Sequence, residues 1–418
     1  MDAFSPTFYD VEAIRADFPI LARTVHDRPN RPGKPLVYLD NAASAQKPRA
    51  VIAAMQQCME YEYANVHRGV HYLSQKTTDA YEATRDRVAQ FLNAGSREEI
   101  VFTRGATEAI NLVASGFRRA IFEPGDEVIL SIMEHHANIV PWQLIQAECG
   151  INLKIIPCDD RGVLDLDAYA ALFSPRVKLV AVTHGSNVLG TITPARDLAR
   201  IAHAHGAPIL FDGSQTAVHH PVDVQEIDAD FYVITGHKLY GPTAIGALYG
   251  RKQWLAKLPP YQGGGDMIAS VSFGKTTFRE PPYRFEAGTP PIVEGIGLGA
   301  ALAYLEGLDR AAIAAHEDAL LAHATKGLAR IEGVRIFGSA PNKAAILSFV
   351  VDGVHPHDLG MLVDQTGVAI RVGRHCAEPL MERFDVGATA RASFALYNTH
   401  AEADALVSAV AAAKEFFV

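Results

Sequence analysis

The stretch FYVITGHKLYGP, residues 231–242, places a lysine shortly after an apolar run. Phe231, Tyr232 and Val233 are typical of a buried strand, and Lys238 follows the point where that strand is expected to end. A single lysine in such a position is more often a surface amine, whose alkyl stem lies along apolar surface, than a reactive group. What Lys238 does therefore depends on the side chains that the rest of the fold brings to the same place.

Strand-like and helix-like segments alternate between residues 98 and 250. The strand-like segments are short and apolar, and they are EIVFT (99–103), EVILS (127–131), KLVAVTH (178–184), PILFD (208–212), FYVIT (231–235) and AIGALY (244–249). Helix-like segments such as ATEAINLVASGFRRA (106–120) and PARDLARIAHAHG (194–206) lie between several of them. This alternation predicts an α/β domain with a mostly parallel sheet, which binds ligands at the carboxyl ends of its strands.

A zone rich in glycine and proline, residues 258–291, interrupts this alternation. After it come an Ala- and Leu-rich helical tract, residues 294–331, a strand-like segment AAILSFVV (344–351) and a last helix that ends near Phe417. The pattern predicts a second, smaller α+β domain, and loops in the interrupting zone that could reach a partner subunit. We expect three parts: an N-terminal segment that packs on the small domain, a large α/β domain and the small domain, at residues 1–30, 31–292 and 293–418.

Composition and charge narrow the class of partner. Hydrophobic residues make up 49% and charged residues 20% of the chain, which is typical of a globular protein. A net charge of −9 argues against nucleic acid or an anionic membrane as the main partner, so we expect a small molecule or a protein. The acidic N-terminus has no apolar signal region, and the four cysteines form no CxxC pair, so we expect a cytoplasmic protein without a zinc cluster, disulfide framework or membrane span.

Polar, reactive side chains follow five of the predicted strands. They lie in RGATEAI after Thr103, IMEHHAN after Ser131, HGSNVLG after Thr183, GSQTAVHH after Asp212 and GHKLYGP after Thr235. Each segment alone has an ordinary interpretation: Asp212 as a helix cap, Gly105 as turn chemistry, and EHH as solvated imidazoles or metal ligands, although no third ligand follows at suitable spacing. Because all of them fall at one edge of the sheet, we favour an active site there.

One cofactor, pyridoxal phosphate, would use this whole set of side chains. It needs a lysine for covalent attachment, a carboxylate that keeps its ring nitrogen protonated, a flat group that stacks on the ring, and donors for its phosphate. Lys238 suits the first role and Asp212 the second, while one imidazole of EHH (134–136) could stack. Asn187 and Gln215 could hydrogen-bond the phenolic oxygen of the ring.

The phosphate would lie at the start of a predicted helix. The backbone amides of Ala106 and Thr107 open that helix, where the helix dipole favours an anion. Thr235 and His237, on either side of Gly236 just before Lys238, could add side-chain donors.

Longer motifs along the chain point to a known family. They are YLDNAASAQKP (38–48), NVHRGVHYLS (65–74), MEHHANIVPW (133–142), DGSQTAVHHPVDV (212–224), RFEAGTP (284–290) and RASFALYNTH (391–400). In these motifs the chain resembles the pyridoxal-phosphate-dependent cysteine desulfurases of the SufS type, in the class V aminotransferase family with fold type I. The resemblance covers nearly the whole length and implies a large domain with a mostly parallel seven-stranded sheet and a smaller α+β C-terminal domain.

The resemblance also implies a role for individual residues. It makes Lys238 the cofactor-binding lysine, Asp212 the partner of the ring nitrogen and His135 the stacking ring, which could also pass a proton. The residues that it assigns to the phosphate are Thr107, Thr235 and His237 of one chain, with Gly263 and Thr289 of a second. A homodimer would then complete the site, and mobile surface loops are the alternative interpretation of the last two positions.

Cys376 lies in the strongly polar segment RVGRHCAEPL, residues 371–380. A free cysteine is usually an inert small hydrophobe, but positive charge from Arg371, Arg374 and His375 would favour the reactive thiolate. Where the family has HHC or a similar uncharged pair before the cysteine, this chain has Arg374 and His375. We expect the remaining cysteines to be structural or incidental, and they are Cys58, Cys149 and Cys158.

The activity that the resemblance implies is conversion of L-cysteine to L-alanine, with the sulfur left on Cys376 as a persulfide. Lys238 would remove the α-proton, and Arg391 would bind the substrate carboxylate. The further substrate contacts expected are Arg371, His67 and Asn187. A SufE- or SufU-type acceptor protein would take the sulfur for iron–sulfur cluster assembly. A selenocysteine lyase, a cysteine sulfinate desulfinase and a non-catalytic scaffold that holds the cofactor are the alternatives.

Overall fold

Seven strands form the central sheet of the computed structural model, which describes residues 9–29 and 32–417. The strands are, in chain order, β1 (Thr24–Val25), β2 (Lys34–Pro35), β3 (Val37–Tyr38), β4 (Ile100–Thr103), β5 (Glu127–Ser131), β6 (Asn152–Ile156), β7 (Val177–Thr183), β8 (Ile209–Asp212), β9 (Phe231–Thr235), β10 (Gly246–Gly250), β11 (Ile268–Val271), β12 (Thr276–Phe278), β13 (Val334–Phe337), β14 (Ile346–Val351), β15 (Val368–Ala369), β16 (Arg371–Gly373) and β17 (Thr389–Ser393). The α-helices are α1 (Val11–Ala16), α2 (Arg49–Gln57), α3 (Tyr72–Phe91), α4 (Ala106–Ala120), α5 (Val140–Cys149), α6 (Leu166–Ala171), α7 (Ala195–Ala204), α8 (Thr216–His219), α9 (Lys252–Lys257), α10 (Ile292–Glu306), α11 (Arg310–Leu328), α12 (Pro356–Asp364), α13 (Glu378–Arg383) and α14 (His400–Glu415).

The central sheet has the strand order β4-β10-β9-β8-β7-β5-β6. Strands β5 to β9 pair in parallel, and β10 runs antiparallel to its neighbours β4 and β9. This arrangement confirms the predicted mostly parallel, seven-stranded sheet. The sequence pattern did not indicate β6, because this edge strand carries Asn152 and Lys154 and is partly exposed, so its apolar run is broken.

Both faces of the sheet are buried. Along β5, Val128 and Leu130 join the core cluster that includes Phe117 of α4, while Ile129 joins the cluster on the other face with Phe211. Successive side chains of a strand point to opposite faces, so a strand that is covered on both sides must be apolar throughout. Covering helices leave only the two edges and the strand ends free, and the polar side chains gather at the strand ends.

A second sheet of four antiparallel strands, in the order β13-β14-β17-β16, belongs to the C-terminal part of the chain. Its core contains Leu347 and Phe349 of β14, with Leu320 of α11 and Leu406 of α14. Helix α10 does not join this core, because it packs on α2 and α3 of the large part. A smaller α+β unit is therefore present as expected, and the exact boundary at residues 292 and 293 stays a prediction.

The described part of the N-terminal segment contacts the C-terminal part of the chain. The Tyr9 hydroxyl donates to the Leu396 carbonyl at 2.6 Å, and the Arg15 guanidinium lies 3.0 Å from the Glu402 carboxylate. The predicted segment, residues 1–30, includes residues 1–8 and 30, which lie outside the described residues. Between residues 9 and 417, apart from 30 and 31, the structure has no helix with the length and hydropathy of a membrane span.

A buried ion pair ties the large part together. The Arg85 side chain of α3 is fully buried, and its two terminal nitrogens lie 2.7 and 2.9 Å from the Glu286 carboxylate. One Glu286 oxygen also accepts the Phe102 backbone N–H of β4 at 2.7 Å. Glu286 therefore joins α3, β4 and the segment RFEAGTP.

We expect Glu286→Ala to destabilise the fold by about 3 kcal/mol. The substitution removes one of the two carboxylates that pair with the buried Arg85 charge, leaving Glu82, and it leaves the Phe102 backbone N–H without its acceptor. The matched control is Glu306→Ala, which removes a partly exposed carboxylate 2.7 Å from Arg87 and should cost less than about 1 kcal/mol. Denaturant unfolding of the two variants measures both free energies. Equal costs would contradict a structural role for the buried pair.

Candidate active site

A cavity of about 790 Å³ opens at the carboxyl ends of β7, β8 and β9, beside the N-terminus of α4. Its walls include twelve of the residues that the sequence indicated: Ala106, Thr107, His135, Asn187, Asp212, Gln215, Thr235, His237, Lys238, Arg371, Cys376 and Arg391. The sheet edge predicted to carry chemistry is thus one continuous site in the fold.

Burial lowers the pKa of the Lys238 amine to about 8, and the nearby Asp212 carboxylate opposes this shift. Burial also lowers the pKa of Lys47 and of Lys343 to about 8. Those two amines donate to backbone carbonyls, Lys47 to His237 at 3.0 Å and Lys343 to Gly338 at 2.6 Å. Within the described residues the Lys238 amine makes no hydrogen bond. Because its pKa is about 8, a substantial fraction of the amine is neutral near pH 8 and available as a nucleophile or base.

The Asp212 carboxylate ends strand β8 and is buried in the cavity wall. Its Oδ1 accepts the Ser214 backbone N–H at 3.0 Å, which fixes the carboxylate at the turn after the strand. Pairing in register with Thr183 of β7 and Val233 of β9 holds the backbone on both sides. A carboxylate held in this way can stabilise a positive charge in the cavity.

The His135 ring is neutral at pH 7. Burial, and then the charge of Lys238, lower its pKa to about 4. Its Nδ1 accepts the Ala137 backbone N–H at 3.0 Å, so the proton of the neutral ring lies on Nε2. A neutral imidazole in the cavity wall suits stacking on a flat ring and donation of one hydrogen bond.

The start of α4 forms a cradle for an anion. Gly105 precedes the helix with φ of 146°, and a Cβ at this position would lie 3.2 Å from Thr235 Oγ1. The amides of Ala106 and Thr107 have no carbonyl partner within the helix, as is usual in a first turn. Burial lowers the pKa of the nearby His237 to about 4, so this ring is neutral at pH 7 and can offer a hydrogen bond to a ligand.

The two cavity amides are each tied to a backbone carbonyl. Gln215 Nε2 donates to Ala42 at 2.8 Å, and Asn187 Nδ2 donates to His375 at 2.8 Å. An amide nitrogen carries two protons, so each side chain keeps one N–H for a ligand. Asn187 also connects the cavity with the segment that carries Cys376.

Two arginines on neighbouring strands share one carboxylate. Arg371 of β16 pairs in register with Arg391 of β17, and their guanidinium groups lie 3.4 and 3.2 Å from the two oxygens of Asp40. Burial lowers the pKa of Arg391 to about 10, so it stays charged at pH 7, and its Nε has no partner in the described structure. The two guanidinium groups carry two positive charges and Asp40 carries one negative charge. The remaining positive charge favours an anionic group of a ligand. Asp40 lies in the motif YLDNAASAQKP, but nothing in the sequence alone indicated that this carboxylate pairs with the two arginines.

Cys376 is exposed and lies in the loop between β16 and α13. The prediction that His375 carries a positive charge is wrong at neutral pH, because burial lowers the pKa of its ring to about 3. Arg374 NH1 lies 2.9 Å from Glu378 Oε1, so its charge is paired as well. The other cysteines are less accessible, Cys58 and Cys158 being buried and Cys149 half-buried.

Three predicted site residues lie away from the cavity of their own chain. His67 Nε2 lies 2.9 Å from Glu82 Oε1, and Gly263 and Thr289 are exposed. Their assignment to the substrate and to the phosphate of a second subunit stays a prediction. The part of the chain that the structure describes brings no three His, Cys, Asp or Glu side chains together as metal ligands.

Several cavity residues were missed by sequence reasoning. Tyr261 and Gln262 reach the cavity from the Gly- and Pro-rich zone, and the Tyr261 hydroxyl donates to Glu108 at 2.7 Å. Ser214 could have been found, because it lies two residues after Asp212 in a segment already selected. Tyr261 and Gln262 carried no such signal, since irregular segments have no periodicity that predicts which way a side chain points.

The parallel sheet and the lysine and carboxylate at its strand ends are typical of a pyridoxal-phosphate enzyme of fold type I, and comparison with known proteins agrees with this class. The family model for aminotransferase class-V matches residues 37–406, and the chain belongs to this family. A cysteine desulfurase from Klebsiella pneumoniae (strain 342) is 50% identical over 401 residues, which are 96% of this chain and 97% of that protein. The crystal structure of the cysteine desulfurase CsdA from Escherichia coli superposes with a TM-score of 0.90 at 41% identity, over 99% of this chain and 100% of that chain.

Some curated relatives are much longer than this chain. The cysteine desulfurase of Synechococcus elongatus (strain ATCC 33912 / PCC 7942 / FACHB-805) is 48% identical over 402 residues, which are 96% of this chain and 63% of that protein. The chain spans 58 and 65% of the length of two mycobacterial relatives. These comparisons confirm the family resemblance and the fold type.

The pH at which Lys238 reacts tests its pKa. In cofactor-free protein, we expect the rate at which a small acylating reagent modifies Lys238 to rise with pH and to level off shortly above pH 8. Only the neutral amine is nucleophilic, and its fraction stops growing above the pKa. The exposed Lys252 is the control, since its ion pair with Glu98 raises its pKa and its reaction should keep rising. Peptide mass spectrometry after timed labelling measures both rates. Parallel profiles for the two lysines would contradict the lowered pKa of Lys238.

Proposed function

We propose that this chain is a cysteine desulfurase that converts L-cysteine to L-alanine and receives the sulfur on Cys376 as a persulfide. The observation that carries the proposal is that the Lys238 amine, the Asp212 carboxylate and the Cys376 thiol line one cavity. An amine and a carboxylate alone would suit many reactions of this family, and the exposed thiol adds a group that can accept sulfur. Relatives with about half of their residues identical bear the name cysteine desulfurase, which supports the same conclusion.

The residues of the cavity fit pyridoxal phosphate, the cofactor of this family. The amine of Lys238 is free of protein partners within the described chain, and the amide cradle at Gly105 has room that a Cβ would reduce. The residues that would hold the cofactor are Lys238, Asp212, His135, Gln215, Asn187, Ala106, Thr107, Thr235 and His237. Gly263 and Thr289 of a second subunit would complete the phosphate site.

Bound pyridoxal phosphate would supply an electron sink for the negative charge that develops when bonds to the substrate carbons break. Arg391 binds the substrate carboxylate with its charged guanidinium, and Arg371 adds a second charge at the rim. Lys238, with a pKa lowered to about 8, accepts the proton from the substrate Cα. The neutral His135 ring holds a proton on Nε2 and excludes water from its face of the cavity.

Sulfur transfer to Cys376 needs no external oxidant. The thiolate of Cys376 attacks the substrate sulfur, the new S–S bond forms from its lone pair, and the electron pair of the Cβ–S bond stays with Cβ. A proton then converts Cβ to the methyl group of alanine. The sum is L-cysteine plus a thiol giving L-alanine plus a persulfide, so atoms and electrons balance.

The proposed function involves two protein partners, a second copy of this chain and a sulfur acceptor. A homodimer would bring Gly263 and Thr289 of one chain to the cavity of the other, and fully exposed apolar side chains such as Val70 and Phe273 are available for an interface. A SufE- or SufU-type acceptor would take the persulfide sulfur for iron–sulfur cluster assembly, and His67 would be a substrate contact in the assembled site. A cytoplasmic location stays a prediction.

Replacing the thiol separates cofactor binding from sulfur transfer. We expect Cys376→Ala to keep the absorbance of the bound cofactor and to bind cysteine, yet to lose sulfur transfer to an acceptor by a factor of about 100 or more, as is usual when a nucleophile is removed. Cys149→Ala, which removes a half-buried thiol outside the cavity, is the matched control and should stay fully active. Mass measurement of the Cys376 peptide after incubation with cysteine should show one added sulfur atom in the wild type. Wild-type transfer by Cys376→Ala would rule out Cys376 as the carrier.

The alternative substrates are distinguished by turnover. We expect alanine from L-cysteine, with sulfur on Cys376, in parallel assays with L-cysteine, L-selenocysteine and L-cysteine sulfinate. Alanine that forms only from the selenium substrate would replace desulfurase with selenocysteine lyase, and alanine only from the sulfinate would indicate a desulfinase.

A further inference from the structure

One carboxylate bridges the Cys376 loop and the segment that carries His135. Glu378 Oε1 lies 2.9 Å from Arg374 NH1, and Glu378 Oε2 lies 2.6 Å from His136 Nε2. Arg374 lies two residues before Cys376, and Glu378 lies two residues after it. The bridge therefore spans the base of the loop on which the thiol lies.

The backbone at the thiol needs support from its surroundings. His375 and Cys376 have φ of 52° and 54°, in the left-handed region that non-glycine residues occupy only when neighbouring contacts hold them there. The His136 backbone N–H donates to the Cys376 carbonyl at 2.7 Å, and the Asn187 amide donates to the His375 carbonyl at 2.8 Å. Residue 136 thus holds the loop through its backbone, and its side chain meets Glu378.

The proton on His136 Nε2 can serve only one of two contacts. Nε2 either donates to the Glu378 carboxylate at 2.6 Å or accepts the Glu378 backbone N–H at 3.3 Å. The shorter contact, in which the acceptor is charged, is the stronger one. The carboxylate therefore holds the His136 ring and, through it, the backbone that supports Cys376.

The contact between Arg374 and Glu378 is, taken alone, an ordinary surface ion pair. The side chains of Arg374 and Glu378 are 61% and 39% exposed, and an exposed ion pair four residues apart contributes little by itself. The second contact, to a residue on a different element, is what distinguishes Glu378 from an ordinary surface partner. It also gives Arg374 a function that is separate from activation of the thiol.

We propose that Glu378 is a positioning residue, which uses Arg374 and His136 to hold the Cys376 loop against the His135 segment with the thiol over the cavity. The inference rests on the proposed function for its kinetic consequence. Without the bridge, the loop spends more time away from the cavity, so the thiol meets the substrate sulfur less often and outside reagents more often.

The test compares Glu378→Ala with Glu382→Ala in the holoenzyme. Glu382 lies on the same helix and carries the same charge, and its side chain makes no hydrogen bond or ion pair with a described residue. For Glu378→Ala we expect persulfide formation in the first turnover to slow, and alkylation of Cys376 by iodoacetamide to speed up, each by about threefold or more, the scale of a partly exposed ionic contact. Glu382→Ala should match the wild type in both rates. Glu378→Gln keeps one oxygen for Arg374 and offers an N–H to the His136 Nε2 lone pair, so it should restore most of each rate. Cysteine binding, followed by the absorbance of the cofactor, should change less than about twofold in all three variants, since no cavity contact is removed.

Unchanged rates in Glu378→Ala would overturn the proposal, as would equal changes in Glu378→Ala and Glu382→Ala. Reactivity of the buried Cys58 and Cys158 would show that Glu378→Ala had unfolded. In that case the test uses His136→Phe, which removes the other half of the bridge and keeps a ring. This variant must then show the same pair of rate changes. If the wild type formed no persulfide on Cys376, the proposed function would fail, while the alkylation rates of Glu378→Ala and Glu382→Ala would still decide whether the bridge holds the loop.

Discussion

The Lys238 amine is held at the end of a fully buried strand without a hydrogen-bond partner in the described chain, and the rest of the site depends on this constraint. Burial disfavours the charged form, and the pKa falls to about 8 although Asp212 lies close enough to oppose the shift. Two half-buried lysines, Lys47 and Lys343, donate hydrogen bonds to backbone carbonyls, as polar groups away from water usually do. The Lys238 amine faces the cavity instead, and a lysine with a lowered pKa in such a place points to chemistry.

The site separates neutral rings from charged groups. Burial lowers the pKa of His135 and His237 to about 4 and that of His375 to about 3, so all three imidazoles are neutral at pH 7. The positive charge lies with Arg371 and Arg391, and a single carboxylate, Asp40, balances only part of it. A substrate carboxylate is therefore directed to one side of the cavity, while the thiol approaches from the loop after β16.

Much of this could be predicted from the sequence, because the strands of a doubly covered sheet are continuous apolar runs and their ends carry the polar side chains. Lys238, Asp212 and Cys376 were each found in this way or by family resemblance, and the structure brings them into one cavity. Edge strand β6 was missed, because exposure on one side breaks the apolar run. The charge of His375 and the pairing of Arg374 could not be predicted, since they depend on burial and on Glu378, which only the folded chain brings into contact.

Attachment of the cofactor to Lys238 is tested most directly by finding which residue carries the cofactor. Protein that has taken up pyridoxal phosphate is reduced with borohydride, digested, and its lysine peptides are weighed. We expect the added cofactor mass on the peptide that contains Lys238. Cofactor mass on Lys47 or Lys343, the half-buried lysines whose pKa is also lowered, or on no lysine at all, would contradict the attachment to Lys238.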